Sequence, residues 1–249
     1  MSEQSFRNRL RESAKLGLRT RLSRNGLAIG RDPFSNRLAR SLDHAGIDSV
    51  LDIGANVGQY AKLLRAAGFE GRIVSLEPLS GAYAVLERRA SGDPLWLTLN
   101  KGAGSEECLA LINVSENSFS SSLLDVTETH LGIAPHSRVV GTEKVHLTTV
   151  EQLLVDENID AATCLLKVDT QGYESEVFAG AGDRLREFAA IQVELSLVEL
   201  YRGQKLYDEL VAELRELGFV LWAFETGIAD QHGRLLQVDG VFLRHDLIP

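Results

Sequence analysis

The chain has 249 residues, of which 44% are hydrophobic, a length and composition that allow one sizeable buried core. Its formal net charge of -9 is unevenly divided: residues 1–40 carry ten Lys or Arg against three acids, whereas residues 41–249 carry sixteen against thirty-two. An acidic body behind a basic arm argues against a nucleic-acid substrate, because contacts to phosphates require clustered cations.

The first 45 residues are predicted to form a basic helical arm. Phe6, Leu10, Ala14 and Leu18 recur at four-residue spacing among arginines and a lysine, which is typical of an amphipathic helix. Such a helix could cover a ligand site, pack against a second copy of the chain in a homo-oligomer, or make a peripheral contact with an anionic membrane. The sequence leaves these alternatives open.

Residues 46–249 are predicted to form one α/β domain. Short apolar runs alternate with segments of helical period, as in mostly parallel sheets with helices on both faces. Only polar, glycine-bearing residues separate the last two runs, so a hairpin should make the final strand antiparallel. Residues 105–148 interrupt the alternation and are expected to be a functional insertion. The seven predicted strands are 49–53, 72–76, 95–99, 164–168, 191–195, 219–224 and 240–243.

A strand, a turn and the start of a helix occupy residues 50–60. Gly54 and Gly58 lack a Cβ, so the backbone can turn sharply and approach a ligand, and Asn56 between them tolerates a positive φ. The free N–H groups at the start of the helix point toward the same ligand. The motif therefore predicts a binding loop for a cofactor that contains a nucleoside.

The glycine spacing and the acid at position 52 separate two classes of cofactor. A dinucleotide site uses G-x-G-x-x-G to hold a pyrophosphate, which the charge of Asp52 would repel. S-adenosylmethionine instead carries an ammonium and a sulfonium group and no phosphate, so an aspartate suits it. Glu77, 25 residues later at the end of the second predicted strand, would accept hydrogen bonds from ribose hydroxyls in either class.

From about residue 49 to about residue 242 the sequence resembles FkbM-type S-adenosylmethionine-dependent methyltransferases, which belong to class I. The most specific motif runs from Lys167 to Glu174, where family members tend to carry K-x-D-x-E-G-x-E and this chain has Gln171 in place of the first glutamate. The resemblance implies a Rossmann-like class I fold and O-methylation of a hydroxyl on a sugar, a glycolipid or a related secondary metabolite. The motifs that carry it are residues 51–58, 75–78, 166–174 and 192–194.

The resemblance also implies further site residues. Class I enzymes contact adenine after the third strand, where Gly102 and Ala103 would let a flat ring approach, although a plain turn explains the same residues. Asp169 and Glu194 should lie at the carboxyl edge of the sheet, where ligands bind in open α/β folds. Asp169 is the first choice for the catalytic carboxylate, with helix capping as its structural alternative, and Glu194 is the second choice.

No metal site is predicted. Asp169, Glu174 and Glu194 could hold a hard cation such as magnesium, but the amide at position 171 argues against it. Two other functions stay open: an NAD-dependent oxidoreductase on a Rossmann fold, and a non-catalytic cofactor-binding interaction domain. The expected partner is a small-molecule or glycolipid acceptor and not a nucleic acid.

The cysteines and the terminal sequence indicate the compartment. Cys108 and Cys164 are far apart and form no C-x-x-C motif, which predicts reduced thiols. The N-terminus has no apolar leader, and no stretch approaches the roughly 18 apolar residues of a membrane helix. The expected location is the cytoplasm.

Overall fold

The computed structural model describes residues 34–248. The amphipathic helix predicted for the basic arm lies outside these residues, so it stays a prediction. The chain divides into a unit of Met1–Leu38 and a larger unit of Ala39–Pro249, and every site discussed below lies in the larger unit. Within residues 34–248, no helix combines the length and the apolar character needed to cross a membrane.

The helices and strands alternate along most of the described chain. The helices are α1 (Phe34–His44), α2 (Gln59–Ala66), α3 (Ser80–Ala90), α4 (Glu128–Ile133), α5 (Val150–Asp156), α6 (Glu174–Ala179) and α7 (Tyr207–Glu216). The strands are β1 (Ser49–Ile53), β2 (Arg72–Leu76), β3 (Trp96–Leu99), β4 (Gly102–Ala103), β5 (Cys108–Ser115), β6 (Val139–Thr148), β7 (Cys164–Val168), β8 (Ala190–Ser196), β9 (Phe219–Thr226) and β10 (Gln237–Arg244).

Seven strands form the main sheet in the order β3-β2-β1-β7-β8-β10-β9. Strands β1, β2, β3, β7 and β8 pair in parallel, and β10 lies between β8 and β9, antiparallel to both. The prediction of a mostly parallel seven-stranded sheet with an antiparallel last strand is therefore confirmed. The chain runs outward from β1 to β3 and returns at β7, so the switch point between β1 and β7 is where an open α/β sheet binds ligands.

One face of this sheet packs against α5, α6 and α7 in the main core. Leu166 and Ile191 from the sheet join Leu154, Phe178 and Leu214 from the three helices in one buried cluster. Each such side chain contributes about 1.5–3 kcal/mol when it is fully buried. The core thus fixes the ends of the central strands, which carry the site.

The other face carries a buried row of polar side chains. Asp52 of β1 lies in register with Ser75 of β2 and Lys167 of β7, and Lys167 is in register with Gln192 of β8. Tyr60 of α2 contacts this face, because its hydroxyl donates to Gln192 Oε1 at 2.7 Å. Helices therefore contact both faces, and the polar row lies next to the turn that follows β1.

The segment that interrupts the alternation of strands and helices forms a second sheet, in the order β4-β6-β5. Strands β5 and β6 are antiparallel, and Ile112, Val145 and Leu147 from them pack against Leu79 and Ala82. The second sheet therefore presents an apolar wall next to the chain that follows β2.

Candidate active site

The turn between β1 and α2 has the backbone geometry that its sequence predicts. Gly54, Asn56 and Gly58 all have positive φ angles, of 76°, 45° and 83°. A Cβ at Gly54 would overlap the carbonyl oxygen of Asp169, so this glycine lets the turn after β1 touch the chain after β7. Gly58 begins α2 and packs against Trp96, where a Cβ would also find no space.

A cavity opens beside this turn, at the carboxyl ends of β1, β2 and β7. It encloses about 660 Å³ including space open to solvent. Its walls come from the turn after β1, the chain after β2, the second sheet and the chain after β7. The predicted site residues that line it are Gly54, Asn56, Glu77, Gly102, Ala103 and Asp169.

Glu77 is locked into the cavity wall by backbone hydrogen bonds. The N–H of Asn56 donates to Oε2 at 2.8 Å and the N–H of Leu79 donates to Oε1 at 2.9 Å. Burial raises the pKa of Glu77 to about 7, and those two N–H groups and Lys167 oppose the rise. Each carboxylate oxygen keeps a second lone pair, so the side chain can still accept hydroxyl protons from a ligand.

Asp52 does not line the cavity. Its Oδ1 lies 3.1 Å from Lys167 Nζ and its Oδ2 accepts from Ser75 Oγ at 3.1 Å, with the aspartate fully buried. The nearest cation is therefore a lysine of the chain itself; the sequence indicates that Lys167 pairs with an acid but does not name Asp52 as that acid. A direct contact between Asp52 and the cationic cofactor stays a prediction, and the structure adds a role in holding Lys167.

Lys167 joins three parts of the site. Besides Asp52, its ammonium donates to the Gly54 carbonyl oxygen at 3.2 Å and lies 3.5 Å from Asp169 Oδ2. Burial alone would lower the pKa of Lys167, but the charges of Asp52 and Asp169 outweigh burial and raise it. The lysine therefore stays protonated and ties the turn after β1 to the acid after β7.

Gly102 and Ala103 line the apolar end of the cavity, together with Ile112, Val145 and Leu147 of the second sheet. A Cβ on Gly102 would lie 2.7 Å from Leu147 Cδ2, so the glycine permits close packing between β4 and the wall. That adenine binds at this surface, as the family resemblance implies, stays a prediction.

Asp169 is the acid that reaches the cavity from β7. Its side chain is 30% exposed, and Oδ1 accepts a hydrogen bond from Gln171 Nε2 at 2.8 Å. Glu194 does not line the cavity but accepts from the same Gln171 nitrogen, at 2.9 Å to Oε2. The two predicted catalytic carboxylates are thus neighbours joined by one amide. Asp169 makes no capping contact to α6, since Glu174 accepts from the N–H groups of Thr170 and Gly172.

Asp239 is an acid that sequence reasoning missed. It lies on β10 opposite Glu194 of β8, and burial followed by the charge of Asp169 raises its pKa to about 7. The predicted strand began at residue 240, whereas β10 begins at Gln237 because polar residues continue its ladder with β8. Had the predicted strand been extended to Gln237, Asp239 would have been recognised from the sequence as an acid within the sheet.

All six histidines lie within residues 34–248, and none lines the cavity. His130 is buried, and its Nε2 pairs with Ser137 Oγ at 3.2 Å. The same described residues hold no cluster of three or more His, Cys, Asp or Glu side chains arranged to bind a metal ion. The titratable side chains that line the cavity are therefore Glu77, Asp169 and Tyr173.

The affinity of the wild-type protein for a ribose-bearing donor should depend on the ionisation of Glu77. Because its pKa is about 7 and hydroxyls donate to the charged form, affinity should be constant above pH 7 and fall by about tenfold per unit below it. Titration calorimetry with S-adenosylmethionine from pH 5.5 to pH 8.5 measures this. Glu77→Gln should bind more weakly and lose the pH dependence, whereas a slope that persists in the variant would assign it to another group.

Comparison with known protein families gives a match. The family model of the methyltransferase FkbM domain matches residues 52–221, more than half of the chain. No curated protein has a significantly similar sequence.

Among solved structures, three similar ones are all methyltransferases. An rRNA methylase from Streptococcus thermophilus has 10% identity over 87% of this chain and 99% of that chain, with a TM-score of 0.44. A precorrin-6y C5,15-methyltransferase from Geobacter metallireducens has 13% identity over 82% and 85%, with a TM-score of 0.43. An O-methyltransferase of neocarzinostatin biosynthesis, solved with S-adenosylmethionine and 2-hydroxy-5-methyl naphthoic acid, has 12% identity over 83% and 52%, with a TM-score of 0.40.

These structural similarities are too low to carry a functional argument. The family match is different, because it covers the turn after β1, Glu77 and Asp169, the residues around which the cavity is built. It also supports the cofactor that the glycine spacing and Asp52 favour, S-adenosylmethionine. The chain belongs to the FkbM methyltransferase family, and it is an S-adenosylmethionine-dependent methyltransferase.

Proposed function

We propose that this enzyme transfers the methyl group of S-adenosylmethionine to a hydroxyl of a polyhydroxylated acceptor, a sugar, a glycolipid headgroup or a related secondary metabolite. The observation that carries the proposal is a partly exposed carboxylate, Asp169, held at the cavity between a buried lysine and an amide.

The residues of the cavity fit the donor. Glu77 has acceptor capacity left for two ribose hydroxyls, and the wall of Ile112, Val145 and Leu147 offers an apolar surface for adenine. Gly54 and Asp169 also line the cavity and would flank the methionine portion of the donor. The donor supplies a methyl group already activated on a positively charged sulfur, so the protein has mainly to place the acceptor oxygen in line.

Asp169 has the properties of a base for the acceptor hydroxyl. Its Oδ1 accepts a hydrogen bond from Gln171 Nε2, and its Oδ2 faces Lys167 Nζ. These two contacts orient the carboxylate, and each oxygen keeps a free lone pair. General-base catalysis by a positioned carboxylate contributes about 10²–10⁴-fold in rate. We propose that Asp169 takes the hydroxyl proton as the new C–O bond forms, with Glu194 as the second candidate.

The charge around Asp169 supports a hydroxylated acceptor over a polyanion. Glu194 and Asp239 continue the row of acids from Asp169 along the edge of the sheet, on β8 and β10. Carboxyl groups form hydrogen bonds with sugar hydroxyls. The phosphates of RNA or DNA would instead be repelled by the charge of Asp169 and would find no cluster of cations beside it in the described part of the chain. A small-molecule or glycolipid acceptor therefore stays our proposal, and a nucleic acid does not.

The experiment that tests this proposal is transfer of a labelled methyl group into a cell extract by the purified protein. The extract is separated into lipids, soluble glycans, RNA and protein, and the labelled product is treated with mild alkali. We expect label in the lipid or glycan fraction that resists alkali, because methyl ethers resist it and methyl esters do not. Label recovered in RNA or protein, or label released by alkali, would contradict the proposed acceptor.

A further inference from the structure

Gln171 joins the two acids at the edge of the sheet. Its Nε2 donates to Asp169 Oδ1 at 2.8 Å and to Glu194 at 2.9 Å for Oε2 and 3.1 Å for Oε1. Its Oε1 accepts from the hydroxyl of Tyr201 at 2.7 Å. The residue lies in the turn after β7 with a φ of 57°, a conformation uncommon for a residue with a side chain. The side chains of Asp169, Glu194 and Tyr201 therefore all form hydrogen bonds with the amide of Gln171.

The amide can have only one orientation in this setting. Tyr201 is buried, and burial followed by the charge of Glu194 raises the pKa of its hydroxyl, so the group keeps its proton, which faces Gln171 Oε1 at 2.7 Å and the Ser120 carbonyl oxygen at 3.1 Å. A flipped amide would place its oxygen 2.8 Å from Asp169 Oδ1, with two acceptors facing each other. The two N–H groups of the Gln171 amide therefore donate to Asp169 and Glu194, and the hydrogen bond to a charged carboxylate is the stronger kind.

Carboxyl groups that meet directly in a buried site share one proton, so their titrations are coupled. Glu194 is the group that holds a proton here: burial, followed by the charges of Asp169, Glu174 and Asp239, raises its pKa well above the usual value, against the effect of Lys167. The Gln171 amide lies between Glu194 and Asp169 and donates to both, so the two carboxyl groups do not share a proton directly, although the charge of Asp169 still acts on Glu194. The charged or titratable groups that face this pair are Lys167 of β7, Glu174 of α6, Asp239 of β10 and Tyr201.

We propose that Gln171 is a positioning residue that keeps Asp169 and Glu194 as two separate acids, so that Asp169 stays turned to the cavity and accepts the proton of the acceptor hydroxyl. The statement that Asp169 accepts the proton rests on the proposed function, whereas the statement that Gln171 keeps the two acids separate does not. Gln171 touches neither reacting atom in this role; it acts through Asp169.

The kinetic test replaces Gln171 by glutamate, which keeps the size of the side chain and turns a donor into a third acid. At saturating donor, the acidic limb of the rate profile for methyl transfer into the extract should move up by at least about 1 pH unit, because the three acids must then share a proton. A matched control is Gln152→Glu: the Gln152 amide donates to Asp156 Oδ1 at 2.6 Å on the exposed surface of α5, and its profile should stay that of the wild type.

A titration that needs no acceptor separates this inference from the proposed function. In protein labelled with ¹³C at the side-chain carboxyl groups, the new carboxyl of Gln171→Glu should titrate at least about 2 pH units above the new carboxyl of Gln152→Glu. Midpoints within about 1 unit of each other would overturn the separation of the two acids, whether or not an acceptor is found. A shifted titration with an unshifted rate profile would instead reject Asp169 as the base.

Tyr201→Phe keeps the test decisive if Gln171→Glu does not fold. Removing one hydroxyl releases the Gln171 Oε1, so the amide can turn away from the acids. The Glu194 resonance should then titrate at a higher pH than in the wild type, in the same direction as in Gln171→Glu and by a smaller amount. An unchanged Glu194 titration in this variant, or a rate loss equal at every pH, would show that the amide is merely structural.

Discussion

Replacing Asp169 by asparagine should lower the rate of methyl transfer at saturating donor by about 10²–10⁴-fold, while the affinity for S-adenosylmethionine changes little. Asparagine has the same shape, and its side-chain oxygen can still accept the hydrogen bond that Gln171 donates. It cannot take up the proton of an acceptor hydroxyl. Label transfer into the extract measures the rate, and titration calorimetry measures donor binding in the same preparations.

Two variants separate this result from a general effect of removing a charge. Asp183→Asn removes an acid whose side chain is 99% exposed and pairs with Arg186, so its transfer rate should equal that of the wild type. Glu194→Gln should slow transfer less than Asp169→Asn, because Glu194 does not line the cavity. The opposite ranking would make Glu194 the base. A variant at Asp169 that loses donor affinity but keeps its rate would place Asp169 among the cofactor-binding residues.

The main sheet could be predicted from the sequence because its central strands are covered on both faces. Strands β1, β2 and β7 appear as short, mainly apolar runs that contain Asp52, Ser75 and Lys167, and their observed bounds match the predicted ones. The second sheet gave no such signal, because the first half of β5 is largely exposed and the strand mixes apolar with polar residues. Its strands are positioned by contacts with Leu79 and Ala82 rather than by a pattern of their own.

The candidate site was predictable where a residue follows directly from the end of a strand. Glu77 and Asp169 were found in this way, and both line the cavity. Contacts between distant parts of the chain were not: Lys167 meets Asp52 only because β7 pairs with β1. One sequence does not reveal which strands become neighbours, so the charge of Asp52 was assigned to the cofactor alone.

Replacing Lys167 by methionine should lower the free energy of unfolding by about 3–5 kcal/mol. The lysine is 5% exposed and lies 3.1 Å from Asp52 Oδ1, so its removal leaves the charge of a fully buried aspartate without its cation. Methionine keeps the length and the apolar contacts of the side chain. Urea denaturation followed by circular dichroism measures the change, provided that the slope of the transition stays that of the wild type.

The matched control is an ion pair of the same residue types at the surface. Lys205 Nζ lies 2.7 Å from Glu213 Oε2, with side chains 42% and 33% exposed, and Lys205→Met should cost less than about 1 kcal/mol. Equal losses in the two methionine variants would contradict the stabilising role assigned to the buried pair.

A double variant separates the two functions of Lys167. Asp52→Asn combined with Lys167→Met removes both charges, and asparagine can still accept from Ser75, so much of the lost stability should return. Activity should not return with it, because the ammonium that contacts the Gly54 carbonyl and Asp169 Oδ2 is still missing. A stable double variant with full activity would show that the ion pair serves folding alone. A stable and inactive one would place Lys167 in the chain of contacts that orients the base.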